Sequence, residues 1–164
     1  QCCIACGKCK DTGHCVFNTD HVNEAIDLLR EADGFVVGSP VYYAGPNGGV
    51  CSLLDRMFFL KSTNYAFKPA AAVVSCRRGG ASASFDRLNK YFTIARMPVV
   101  SSQYWNAVHG NTPEQVMQDK EGLQIMRMLG RNMAYMIRAF ALARENGLLP
   151  PEMEKPKKRT NFIR

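Results

Sequence analysis

The chain has 164 residues, enough for one domain with a real hydrophobic core and above the size at which disulfide or metal staples become obligatory. Its formal net charge is +7, but Lys155, Lys157, Lys158, Arg159 and Arg164 crowd the end, so residues 150–164 read as a solvated basic tail and no nucleic-acid partner is expected. No apolar run approaches the ~20 residues of a membrane helix, and seven cysteines, an odd number with Cys51 and Cys76 inside apolar stretches, fit a reducing, cytoplasmic compartment better than a secreted disulfide scaffold.

The first motif is C-x2-C-x2-C-x5-C at Cys3, Cys6, Cys9 and Cys15, within a cysteine-rich loop over 1–19. Three thiols at steps of three can turn inward around one centre, and a fourth can close a four-thiolate cage. Zinc ribbons usually use two separate C-x2-C pairs, so the spacing is nearer an iron–sulfur pattern. Reduced, empty thiols are the plain alternative.

Asp20 is expected to cap a helix with Val22, Ala25, Ile26 and Leu29 on its apolar face, ending near Ala32. Gly34-Phe35-Val36-Val37-Gly38 is a short buried strand that Ser39-Pro40 stops. The turn-rich run from Val41 to Gly49 leads into a helix carrying Leu53, Leu54, Met57 and Phe58. A second buried strand spans Ala70 to Cys76 and ends in Arg77-Arg78-Gly79-Gly80. A helix from about Ser82 to Ala95 turns Phe85, Leu88, Tyr91 and Phe92 inward, and Pro98-Val99-Val100 forms a third strand ending at Tyr104-Trp105. Thr112 caps a long final helix, with Pro113 in its first turn and Gln115 at the capping-box position. Its stripe is Leu123, Met126, Leu129, Met133, Ile137 and Phe140, and Gly147 terminates it.

Strands alternating with helices imply parallel strands with right-handed crossovers, an open doubly wound α/β sheet in three layers. Ligands in such sheets sit beyond the carboxyl ends of the strands, here Ser39 to Gly45, Cys76 to Gly80 and Gln103 to Asn106. Each loop alone could be an ordinary turn. Together they offer backbone amides, two arginines and an aromatic edge, which suits a planar hydrogen-bonding ring.

Gly38-Ser39-Pro40-Val41-Tyr42-Tyr43, Leu54-Asp55-Arg56, Arg78-Gly79-Gly80, Tyr104-Trp105 and the ending Arg159-Thr160-Asn161-Phe162-Ile163-Arg164 resemble the flavodoxin-like NAD(P)H-dependent FMN reductases. Within that group the cysteine loop resembles the iron–sulfur flavoproteins, which hold a [4Fe–4S] cluster beside FMN. The resemblance covers the whole chain as a single flavodoxin-like domain, 1–164, and implies sheet order 2-1-3-4-5 with strands 3, 4 and 5 present. Family members begin with a strand and a phosphate loop before the cysteines, so the chain reads as N-terminally incomplete.

The resemblance also implies the site. Ser39, Pro40, Val41, Tyr42, Tyr43 and Ala44 would meet the flavin ring, with Cys76, Arg77, Arg78, Gly79, Gly80 and Trp105 completing the cofactor pocket and Cys3, Cys6, Cys9 and Cys15 ligating a cluster. No side chain need act as acid, base or nucleophile, since the flavin carries the chemistry. The implied activity is FMN-dependent oxidation of NAD(P)H, with a quinone, free flavin or other small molecule as acceptor. The rivals are an electron carrier in which a [4Fe–4S] cluster links FMN to a ferredoxin-like protein, and a basic binding module without redox activity. A homodimer or homotetramer is expected.

Overall fold

The computed structural model describes residues 1–60 and 65–155, together with 158, 160 and 162. Lys157, Arg159 and Arg164 of the expected basic tail lie outside the described residues, as do Asn161 and Ile163 of the terminal motif.

A four-residue helix, α1 (Cys9–Thr12), is closed by Gly13 at φ 73°, whose N–H bonds the Cys9 carbonyl at 3.1 Å. Helix α2 (Val22–Glu31) buries Val22, Ile26 and Leu29, the stripe its three-and-four spacing predicts. Its N-cap position is held by His21 without a side-chain cap bond. Asp20 reaches the Val22 N–H only at 3.3 Å, because its carboxylate is engaged by Arg56.

Strand β1 (Phe35–Tyr42) does not stop at Ser39-Pro40; it runs through Pro40, which pairs with Ser75, and turns back at Tyr43-Ala44 into the two-residue strand β2 (Gly45–Pro46). Over Phe35–Pro40 the strand pairs in parallel with β3, Phe35 opposite Ala70 and Pro40 opposite Ser75. Helix α3 (Gly48–Phe59) follows, capped by Asn47, whose side-chain oxygen accepts the Gly49 and Val50 N–H groups. Strand β3 (Ala70–Cys76) is buried along most of its length, and α4 (Ala81–Ile94) places Leu88, Tyr91 and Phe92 in the core.

The third parallel strand differs from expectation. Val99 makes only an isolated bridge to Ala70, the chain then leaves the sheet over 101–106, and regular pairing with β3 resumes as β4 (Ala107–His109). Ser102 explains the excursion: its hydroxyl donates to the Tyr104 carbonyl at 2.6 Å and accepts the Tyr104 N–H at 3.3 Å, a local alternative to ladder bonding.

The final helix is also divided. Thr112 caps only α5 (Pro113–Val116), accepting the Gln115 N–H at 3.4 Å, while Asp119 starts α6 (Lys120–Glu145). One Asp119 oxygen accepts the Gly122 N–H at 2.8 Å and the other the His109 N–H at 2.7 Å, so the break is made by a new cap tied to β4. Gly147, at φ 80°, ends α6 as expected.

The sheet order is β2-β1-β3-β4, with β1, β3 and β4 parallel and β2 antiparallel. Aromatic and aliphatic side chains from α2, α3 and α4 fill one face around Phe92 and Leu54. On the other face α6 packs Leu129, Met133 and Met136 against Ala71, Val73 and Val100. This is a three-layer α/β/α arrangement, and all three parallel strands deliver their carboxyl ends to one edge. No described helix is long and apolar enough to cross a membrane.

Candidate flavin site and cysteine cluster

At that edge the hairpin between β1 and β2 has a two-residue turn with both residues left-handed, Tyr43 at φ 49° and Ala44 at φ 60°. Hairpin turns of this hand match strand twist but favour Asn-Gly, so Tyr-Ala is held there at a conformational cost. The Tyr43 ring stands fully exposed at the tip. Below it Ser39 is buried, and its hydroxyl accepts the Asn47 N–H and donates to the Pro40 carbonyl, both at 2.8 Å. Ser39 therefore braces the hairpin against the start of α3, and Pro40 is a strand residue.

The loop after β3 abuts this tip. Gly80 adopts φ 92°, and a Cβ there would lie 2.6 Å from Ala44 Cα and 2.8 Å from Val41 Cγ1. Only glycine satisfies both the backbone angle and the close approach. Gly79 has neither demand, since a Cβ on it meets open space. Arg77 and Arg78 are exposed. The buried Cys76 thiol is 3.6 Å from the Arg78 carbonyl and 3.4 Å from His109 Nδ1, and burial pushes the thiol up.

A cavity of about 450 Å³ opens at this edge, lined by Arg78, Gly79, Gly80, Phe85, Tyr104, Trp105 and His109 among others. That volume is in the range of cofactor sites. Tyr104 and Trp105 project from the excursion before β4, ring centroids 4.7 Å apart, and remain half exposed. Four of the expected residues, Arg78, Gly79, Gly80 and Trp105, line this cavity, and Gly80 also joins it to the hairpin, whose residues Ser39 to Ala44 are not part of its lining. Cys76 and Arg77 flank it. His109 and Phe85 are additions. His109 escaped the sequence reading because the third strand was expected to end before it, although its place just ahead of Gly110 in an apolar-flanked run was the available signal.

The second feature is the cysteine segment. Cys3, Cys6, Cys9 and Cys15 line one cavity with Phe17 and Arg56. Left-handed Ala5 (φ 52°) and Gly7 (φ 76°) turn the chain between the first three thiols. Cys15 is clasped from both sides by Asn23, which accepts its N–H at 2.8 Å and donates to its carbonyl at 3.0 Å. Burial first, and then the neighbouring Cys6 and Cys3, push the Cys9 thiol up. Grouped thiolates repel one another, which is the electrostatic demand a bound cation or cluster would meet. The donor set of four soft sulfurs fits an iron–sulfur cluster. Among the described residues no group of three or more His, Cys, Asp or Glu is disposed to hold a single metal ion.

Arg56 lies in the last turn of α3 with its side chain 1% exposed. Nε donates to Cys15 Sγ at 3.2 Å and Nη2 to the Phe17 carbonyl at 2.9 Å, while Nη1 pairs with Asp20. Burial works against its charge, but the bonds to Asp20 and Cys15 outweigh it and hold the guanidinium above its ordinary value. The same bond holds the Asp20 carboxyl low. Leu54-Asp55-Arg56 was legible as a motif; the partner of Arg56 was not, since it lies some forty residues away.

Comparison with known proteins places the chain among flavoproteins. An iron–sulfur flavoprotein of Methanocaldococcus jannaschii is 32% identical over 144 residues, covering 83% of this chain and 74% of its own length. One of Methanosarcina thermophila is 31% identical over 127 residues, covering 74% of this chain and 64% of its own, so the chain spans somewhat under two thirds of that relative. Among solved structures, RosB with a bound flavin-derived intermediate aligns at TM-score 0.59 with 15% identity, covering 90% of this chain and 70% of that one. A flavodoxin-type WrbA-like protein of Agrobacterium tumefaciens aligns at TM-score 0.52 with 16% identity, covering 74% and 73%. These two share the fold. The family model described as NADPH-dependent FMN reductase matches residues 5–112. The chain belongs to the NADPH-dependent FMN reductase family, with a flavodoxin-like fold and the character of an FMN-dependent oxidoreductase.

Proposed function

We propose that the protein oxidises NAD(P)H at an FMN held in the 450 Å³ cavity and delivers the electrons to a small-molecule acceptor such as a quinone or free flavin. The observation that carries this reading is the junction of the Tyr43-Ala44 turn with Gly80, which brings two backbone loops together at the carboxyl edge of a parallel sheet. When bound, FMN supplies the exchange between two-electron hydride chemistry and single-electron transfer. The chain's part is positioning. Gly79 and Gly80 leave room for close backbone approach, Tyr43 and Trp105 offer aromatic faces, and Ser39 keeps the hairpin in register. Backbone donors at such loops do not titrate, so they can favour negative charge on a ring over a wide pH range. Exposed Arg77 and Arg78 would attract the phosphates of a nicotinamide cofactor. In solution the protein would act as a homodimer or homotetramer in a reducing cytoplasm.

A second reading is favoured by the four thiols on one cavity and by the iron–sulfur flavoprotein names of its relatives. In it, Cys3, Cys6, Cys9 and Cys15 would hold a [4Fe–4S] cluster that exchanges electrons with a ferredoxin-like partner. Anaerobic absorption spectra with iron, sulfide and FMN analysis, followed by steady-state NAD(P)H oxidation, test both. Rapid NADH or NADPH turnover supports the reductase; cluster and FMN without such turnover support the carrier. Failure to bind FMN would sink both. In the carrier, Cys6→Ala should abolish iron and sulfide, while Cys51→Ala and Cys76→Ala should leave them intact.

A further inference from the structure

The partners of Arg56 all come from the first twenty residues: the thiol of Cys15, the carbonyls of Phe17 and Gln1, and the carboxylate of Asp20. Its guanidinium also sits 5.6 Å from the Phe17 ring centroid. The neighbours of Arg56 on α3 that face the core, Leu54 and Met57, are aliphatic. Burying a cation there is costly, and an apolar side chain of similar size could fill the space with less desolvation. A purely structural account explains why the cysteine segment is anchored, but it leaves unexplained why one N–H is aimed at a sulfur.

We propose that Arg56 is a positioning residue that raises the reduction potential of a cluster bound by the four thiols, through its buried charge and its Nε–H bond to Cys15 Sγ. The inference rests on the cluster reading above. Each electron taken up by a thiolate-ligated cluster increases the negative charge spread over its sulfurs, and an N–H donor or a cation at a ligating sulfur stabilises the reduced form more than the oxidised one. Asp20 opposes this effect, but its side chain is 35% exposed and screened by water, whereas that of Arg56 is 1% exposed. The cation therefore dominates, and Asp20 moderates it.

The test is an anaerobic redox titration of the protein with dithionite as electron donor, with iron and sulfide measured on every sample. Arg56→Gln should shift the oxidised-to-reduced ratio of the cluster about tenfold toward oxidised at a fixed potential, about 59 mV for a one-electron couple. Arg56→Lys should recover part of the shift, restoring charge without the planar fork. Asp20→Asn should move the ratio the other way. Loosening of the segment alone would push both substitutions in one direction, so opposite signs support the inference and a common sign overturns it. A ratio within twofold of the parent in cluster-loaded Arg56→Gln also overturns it. If Arg56→Gln does not retain iron, the Arg56→Lys and Asp20→Asn pair decides by the same signs. Unsubstituted protein lacking iron and sulfide would remove the cluster reading and this inference with it, a failure visible before any variant is made.

Discussion

Gly80→Ala separates a ligand-shaping glycine from an ordinary turn glycine. The native residue sits at φ 92°, where an L side chain costs roughly 1–2 kcal/mol. The added Cβ would lie 2.6 Å from the Ala44 Cα, a backbone atom that can move only if the hairpin tip moves, and such overpacking adds roughly 1–3 kcal/mol. The substitution should therefore destabilise the protein by about 2–5 kcal/mol in urea unfolding, with the tip displaced. Gly79→Val is the counterpart. Its side chain meets open space and no left-handed angle, so stability should change by less than about 0.5 kcal/mol. It would nevertheless intrude on the cavity, and FMN affinity should fall about tenfold, roughly 1.4 kcal/mol. Trp105, the chain's one tryptophan, lines the cavity and reports binding through fluorescence quenching. Equal stability of the two variants would refute the packing argument; unchanged FMN affinity in Gly79→Val would show that the ring binds elsewhere.

Replacing Tyr43-Ala44 by Asn-Gly should stabilise the hairpin by about 1–2 kcal/mol, because both residues are left-handed, while weakening FMN binding through loss of the exposed ring; thermal unfolding and fluorescence titration measure the two effects. Tyr91→Phe should cost about 1–2 kcal/mol in the same unfolding assay, since the hydroxyl donates to Asp55 and accepts from Arg87 at 2.9 Å. Asp119 is held below the ordinary carboxylate range, first by the Gly122 N–H and then, against the opposing effect of burial, by the His109 N–H. Its stabilisation is complete above the unfolded value near pH ~3.9 and is lost as pH falls through the lower folded value. Asp119→Ala should therefore cost about 1 kcal/mol at neutral pH and progressively less below pH ~4, read from urea midpoints across that range.

The alternation of strand and helix was legible because β1, β3 and the buried faces of α2, α3 and α4 follow local periodicity. Val22, Ile26 and Leu29, or Leu88 and Phe92, could be placed from spacing alone. What escaped was decided by competition at a distance or between local bonds. Pro40 is carried within β1 by pairing with Ser75, a partner thirty-five residues away. Ser102 draws the chain out of the ladder and so moves the strand end to His109. Asp119 prefers the His109 and Gly122 N–H groups and divides the last helix. At the cavity, the glycines, arginine and tryptophan of the loops could be nominated from sequence, but the need for glycine belongs to Gly80 because Ala44, far along the chain, touches it. The four thiols were visible as a pattern, whereas the guanidinium beside Cys15 was visible only as part of a motif.

Helix α3 also works as a ruler. One end is fixed to the hairpin by Ser39 and Asn47, and the other to the cysteine segment by Arg56. Nine residues at 1.5 Å each separate Asn47 from Arg56, about 14 Å along the axis. The separation between the hairpin's anchor and the cysteine segment's anchor is thus set by an integer number of residues along one helix. A one-residue insertion in the middle of the helix would lengthen it by only ~1.5 Å yet swing Arg56 about 100° around the axis, away from Cys15. Length variation in this protein is therefore far more tolerable in its loops than in α3.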